Sequence, residues 1–137
     1  MSEIIKNLEL TNPDEEILEG TFTSNFFRNE DGNELSVYME NSSLIEYAEK
    51  CIEYFNSLSD DVIDKICKGI AESSTEEYRL ENVRDILEYC WFTSLVTIED
   101  DEIYYLVEGE GEWGESVGFV IKKDTLAYVG IDYEEYL

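Results

Sequence analysis

The chain has 137 residues, 43% of them hydrophobic, with Asp+Glu 34 against Lys+Arg 9, no histidine and a formal net charge of −25. That length fits one domain spanning residues 1–137, and the apolar share excludes wholesale disorder. The charge excludes attraction to nucleic acid or to an anionic membrane and favours a basic protein partner, because a one-signed surface steers oppositely charged molecules towards it.

In chain order, Ile4, Ile5, Leu8 and Leu10 leave residues 1–16 open between a short strand and a loose leader, closed by a turn at Asn12-Pro13-Asp14. Ile17–Phe27 is rich in β-favouring residues, and Leu35–Glu40 alternates so that Leu35, Val37 and Met39 share one face, which predicts a hairpin. Its loop contains Asp31-Gly32, a turn sequence. A calcium loop fails on spacing: with Gly32 as sixth residue, the first and twelfth are Phe27 and Tyr38, neither of which supplies the required oxygen.

The middle reads as three helices. Ser43 and Glu46 have capping-box spacing ahead of an apolar stripe formed by Leu44, Ala48, Cys51, Ile52 and Phe55. Ser59 with Asp60 and Asp61 opens a second helix, whose stripe is Val62, Ile63, Ile66, Cys67 and Ile70. The third begins at Ser74 or at Asn82 and buries Val83, Ile86, Leu87 and Cys90. From Trp91 the period changes to that of strands: Trp91–Ile98, Ile103–Val107, Val117–Ile121 and Leu126–Ile131, with Trp91 expected in the core. The fold expected is α+β: an N-terminal β-hairpin, three central helices and a C-terminal four-stranded antiparallel meander, with the helices packed on one sheet face.

Little here predicts chemistry. Without histidine the usual general base, nucleophile partner and metal ligand are missing. Among 34 acids a catalytic carboxylate pair or a metal cage arises by chance, so neither pattern is specific. Cys51, Cys67 and Cys90 form no CxxC pair and fall in helix-like segments, where buried, inert thiols are expected. Catalytic residues, metal and cofactor are all expected to be absent. The acidic N-terminus with no long apolar segment after it predicts neither a signal peptide nor a membrane span, hence a cytoplasmic protein.

The most distinctive stretch is Glu108–Gly118, where glycines and glutamates surround Trp113 between two strand-like runs. An acidic loop leading into a strand does not cradle phosphate; it predicts a hairpin connection that displays one aromatic ring among carboxylates. Val83–Leu87 through Trp91–Ile98, then Glu112-Trp113-Gly114-Glu115, Gly118 and Leu126–Gly130, resemble a group of small acidic bacterial domains of unknown function. In that group a tryptophan–acid loop precedes glycine-containing C-terminal strands; the histidine its members often carry after the loop is absent here, where Ser116 stands. In size, acidity and element order the chain is also similar to immunity proteins of bacterial contact-dependent and other polymorphic toxin systems.

That resemblance implies a non-enzymatic cytoplasmic protein that neutralises a basic toxin domain, such as a nuclease, by electrostatic capture and occlusion. The expected contact residues are Glu110, Glu112, Trp113 and Glu115, supported by Asp100, Asp101 and Glu102 on the neighbouring turn. The tail residues Tyr133, Glu134, Glu135 and Tyr136 are second candidates. The alternative reading is a small ligand-binding or homodimeric housekeeping domain.

Overall fold

Two helices and seven strands grow from these periodicities in the computed structural model, which describes residues 4–12, 17–29, 32–74, 79–123 and 125–130. The strands are β1 (Lys6–Asn12), β2 (Ile17–Thr23), β3 (Glu34–Met39), β4 (Cys90–Thr97), β5 (Tyr104–Gly111), β6 (Ser116–Lys122) and β7 (Thr125–Gly130). Between β3 and β4 come α1 (Ile45–Phe55), α2 (Asp60–Ser73) and a 3-10 helix, Val83–Tyr89.

The α+β class and the antiparallel meander β4–β7 match the expectation; the division into hairpin and meander does not. All seven strands form one sheet in the order β1-β2-β3-β4-β5-β6-β7, and the open N-terminal segment contributes β1, antiparallel to β2. The halves join because β3 runs parallel to β4, with Ser36, Val37 and Tyr38 opposite Ser94, Leu95 and Val96. A parallel pair needs a crossover long enough to bring the chain back to the same end of the sheet, and the helical segment supplies it.

Local chemistry sets the helix ends. Ser59 accepts the Val62 N–H at 3.3 Å, as its position before two aspartates predicts. For the first helix the cap is Asn41 and not Ser43: Asn41 Oδ1 accepts the Ser43 N–H at 3.0 Å and starts a 3-10 turn, Ser42–Leu44, that leads into α1. Of the two starts weighed for the third helix, Asn82 is used, in a capping box with Asp85; Ser74 instead caps the end of α2.

Val62, Val83 and Leu87 are only partly buried, but the rest of the expected stripes on the two α-helices are fully so: Ala48, Cys51, Ile52 and Phe55 on α1, and Ile63, Ile66, Cys67 and Ile70 on α2. They meet one face of the sheet over an aromatic hub. Phe27, from the connection after β2, lies 5.3 Å from Phe55, 5.0 Å from Phe92 and 5.2 Å from Phe119 between ring centroids. Two hydrogen bonds hold this loop residue inward: its own N–H donates to Ser24 Oγ at 3.0 Å, and the Phe92 N–H donates to the Arg28 carbonyl at 2.8 Å.

All three cysteines are buried, and desolvation pushes the thiols of Cys51 and Cys90 up to about 12 and that of Cys67 to about 11. A thiol that does not ionise is a poor nucleophile, so these residues pack as small apolar groups.

Tyr105 departs from the rule that buried polar atoms are paired. It is fully buried edge-on to Phe55, and among the described residues its hydroxyl finds no hydrogen-bond partner. An unsatisfied buried group costs about 1–3 kcal/mol. Tyr105→Phe is therefore expected to keep or raise stability in urea unfolding; a loss above about 1 kcal/mol would mean that the hydroxyl is satisfied.

Candidate functional site

The β5–β6 hairpin closes through Gly111 and Glu115. The Gly114 N–H donates to the Gly111 carbonyl and the Gly111 N–H to the Glu115 carbonyl, each at 3.0 Å. Gly114 has φ +95°, a conformation that disfavours side chains with a Cβ, which is why glycine follows the tryptophan. Gly111 has a different purpose. A Cβ built there would run into the Trp113 ring, so the ring lies directly on the Gly111 backbone. Trp113 is half-buried and packs against the main core, capping its end instead of standing clear of it.

Around this ring Glu110 and Glu112 are exposed and Glu115 is half-buried. The Glu112 N–H donates to the Tyr89 carbonyl at 2.8 Å, strapping the hairpin tip to the end of the 3-10 helix. Expected Glu110, Glu112, Trp113 and Glu115 thus lie together at one end of the sheet.

Asp100, Asp101 and Glu102 do not join them. Successive turns of an antiparallel meander alternate between its ends, and β5 separates this turn from the hairpin tip by roughly 24 Å, seven rises of about 3.4 Å. The acidic turn instead meets the β6–β7 connection, where Lys122 Nζ lies 3.6 Å from Asp100 Oδ2 and 5.4 Å from the Tyr104 ring centroid. Tyr47 of α1 pins it from below: its hydroxyl accepts the Tyr104 N–H at 2.8 Å and donates to the Ile98 carbonyl at 2.6 Å. Burial pushes the Tyr47 phenol up to about 12, so it remains a neutral donor. Between this turn and α1 runs a groove of about 520 Å³, bordered by Lys50, Tyr54 and Lys123 as well as by the acids. Tyr133, Glu134, Glu135 and Tyr136 lie outside the described residues.

Trp91 corrects the expectation that it belongs to the core. Its neighbours Cys90 and Phe92 point into the helix-covered side, so alternation turns Trp91 to the opposite face, where it is partly exposed and directly across from Glu110. The same face carries Glu108, whose carboxylate accepts from Ser94 Oγ at 3.0 Å, and Tyr38, whose hydroxyl donates to Glu19 at 2.6 Å. That hydrogen bond to Glu19, with burial and the nearby carboxylates, pushes the Tyr38 phenol up to about 12. Reading the loop alone missed this group; the alternation phase of Cys90-Trp91-Phe92 is the signal that could have found it.

No group of three or more His, Cys, Asp or Glu residues is placed to hold a metal ion among the described residues, and no helix among them is long and apolar enough to cross a membrane. Fold and surface together define a class: an acidic α+β domain with one seven-stranded sheet, helices over one face, and tryptophan and carboxylates at one end of that sheet. Within that class the chain belongs to the family described as Domain of unknown function (DUF6985), whose model matches residues 4–136. Neither a curated protein nor a solved structure matches it.

Because Trp113 is seated on a residue without a side chain, Gly111→Ala is expected to lift the ring. Emission in the variant that keeps Trp113 as its sole tryptophan should shift to the red, with a stability loss of about 1–3 kcal/mol from overpacking. Unchanged emission and stability would mean that the ring is not held there.

Proposed function

We propose that the protein is a cytoplasmic, non-enzymatic binding protein that captures a basic protein partner and covers its working surface, in the manner of immunity proteins that neutralise a bacterial toxin domain. The observation that carries this reading is the distribution of a net charge of −25. Four ion pairs join Lys65 to Asp61, Arg84 to Asp60 and Asp64, and Lys122 to Asp100; none engages the exposed Glu110 or the half-buried Glu115 among the described residues. An excess of like charge costs stability through self-repulsion, and a complementary partner offsets that cost on binding. A basic toxin, such as a nuclease with a positive substrate cleft, is such a partner.

A second reading, a homodimeric domain, draws on the sheet edge. Among the described residues β1 has a neighbour on one side only, and its Leu8 and Leu10 are 37% and 53% exposed, the kind of edge that a second copy covers. Self-repulsion between two strongly acidic copies makes it the weaker reading.

Co-expression separates the two. Cells making the toxic C-terminal domain of a secreted protein encoded beside this gene are expected to grow again when this protein is co-expressed, and Glu110→Lys with Glu112→Lys is expected to abolish the rescue. Failure of the unaltered protein to rescue growth, with a dimer in solution, would favour the homodimer.

A further inference from the structure

Only Lys+Arg 9 stand against a net charge of −25. Lys65, Arg84 and Lys122 each pair with an aspartate and so relieve the repulsion around it. Lys50 and Lys123 do not, although both are exposed and both border the groove of about 520 Å³ between α1 and the β4–β5 turn. Lys50 has Glu46 one helical turn before it and Glu53 one turn after it, the spacings at which charges on a helix meet. Among the described residues it forms an ion pair with neither, and Lys123 forms none.

Lys123 stands there at a conformational cost. It follows Lys122, which pairs with Thr125 across the β6–β7 connection, and its φ of +63° is one that glycine or asparagine adopts more readily than lysine. Its N–H donates to the Ile103 carbonyl at 2.5 Å, which ties this left-handed residue to the groove wall. Backbone strain that a fold retains gathers at sites of function. On α1 the groove is bordered by Tyr54, 43% exposed, with Glu53 beside it, and Asp101 and Glu102 border it from the turn. Unpaired lysines, carboxylates and an exposed aromatic ring thus share one hollow, whose volume falls within the range of about 300–1,000 Å³ usual for ligand sites.

We propose that this groove takes a mixed-charge segment of the basic partner, with one carboxylate side chain of that segment against Lys50 and Lys123 and its flanking arginines against Glu53, Asp101, Glu102 and the Tyr54 ring. This rests on the capture reading above and adds to it a means of choosing the partner. A uniformly acidic surface attracts basic proteins without distinction. Two cations set within it repel a partner that is basic at that place and admit one that carries an acid there, so selection comes from the repulsive element as well as the attractive one. Arginine suits the flanking positions, because its planar guanidinium stacks on an aromatic ring while its N–H groups reach carboxylates. A free anion fits less well, since a net charge of −25 repels it before it reaches the lysines.

The test uses the full chain at low salt with two end-blocked pentapeptides of equal net charge, Arg-Arg-Asp-Arg-Arg and Arg-Gly-Arg-Gly-Arg. The aspartate peptide is expected to bind about two- to five-fold more tightly, the scale of one exposed ion pair. Lys50→Gln and Lys123→Gly should each weaken its binding and strengthen that of the glycine peptide, opposite changes that a folding defect would not produce. Glycine suits the positive φ at this position, so Lys123→Gly should keep or raise the melting temperature while the discrimination is lost. Lys68→Gln, at an exposed lysine of α2 outside the groove, should strengthen both peptides alike. Equal affinity for the two peptides, tighter binding of the glycine peptide, or a shift in the same direction for both in Lys50→Gln and Lys123→Gly would overturn the groove as the discriminating site and leave charge capture intact. Binding of neither peptide would overturn both.

Discussion

Three residues of parallel pairing hold this fold together. Every other strand contact is antiparallel between consecutive strands and forms locally, but Ser36, Val37 and Tyr38 meet Ser94, Leu95 and Val96 only after the chain has made α1, α2 and the 3-10 helix. Closing so long a connection costs chain entropy before any contact is gained, and the aromatic hub offsets it. Phe27 comes from before the crossover, Phe55 from within it and Phe92 and Phe119 from after it, so their packing joins all three parts. Because the crossover stays on one side, α1 and α2 bury their stripes against one sheet face, and the other carries Glu19, Tyr38, Trp91, Glu108 and Glu110. The surface available for recognition is therefore a consequence of topology as much as of charge.

The two tryptophans show how that topology assigns roles. Trp113 stands in the most conspicuous sequence of the chain, among glycines and glutamates, yet Gly111 exists to receive its ring and the loop folds back on itself. Trp91 stands in an ordinary apolar strand, yet alternation with Cys90 and Phe92 turns it outward. The hairpin shapes the end of the core and sets Glu110 opposite Trp91; both rings are partly exposed, one against the core end and one on the other sheet face. The acidic turn at the far end is braced by Tyr47 and partly neutralised by Lys122, so the two acidic groups are electrostatically different surfaces.

Much of the fold was legible in the sequence where the signal is local. The period of 3.6 marked the buried stripes of α1 and α2 apart from Val62, which is only partly buried, Ser59 marked a helix start, and the alternation of Leu35, Val37 and Met39 gave β3 its inward face. What could not be read depends on contacts distant in sequence. Nothing within β3 or β4 announces that they pair, and β1 is a strand only because β2 lies beside it. The placement of Asp100–Glu102 opposite the hairpin tip was readable in principle, since consecutive antiparallel turns must alternate ends. Trp113 was misleading for a physical reason: a glycine two residues before an aromatic serves equally as a flexible loop residue and as a seat for the ring.

Electrostatic capture by the acidic surface is the central claim, and the ionic-strength dependence of the association rate with the basic partner tests it most directly. Screening shortens the reach of exposed charges to about 8–10 Å at physiological salt, so steering by this surface should fade as salt rises. The account predicts a steep fall in association rate with added salt and a much smaller change in dissociation rate. An association rate indifferent to salt would contradict it.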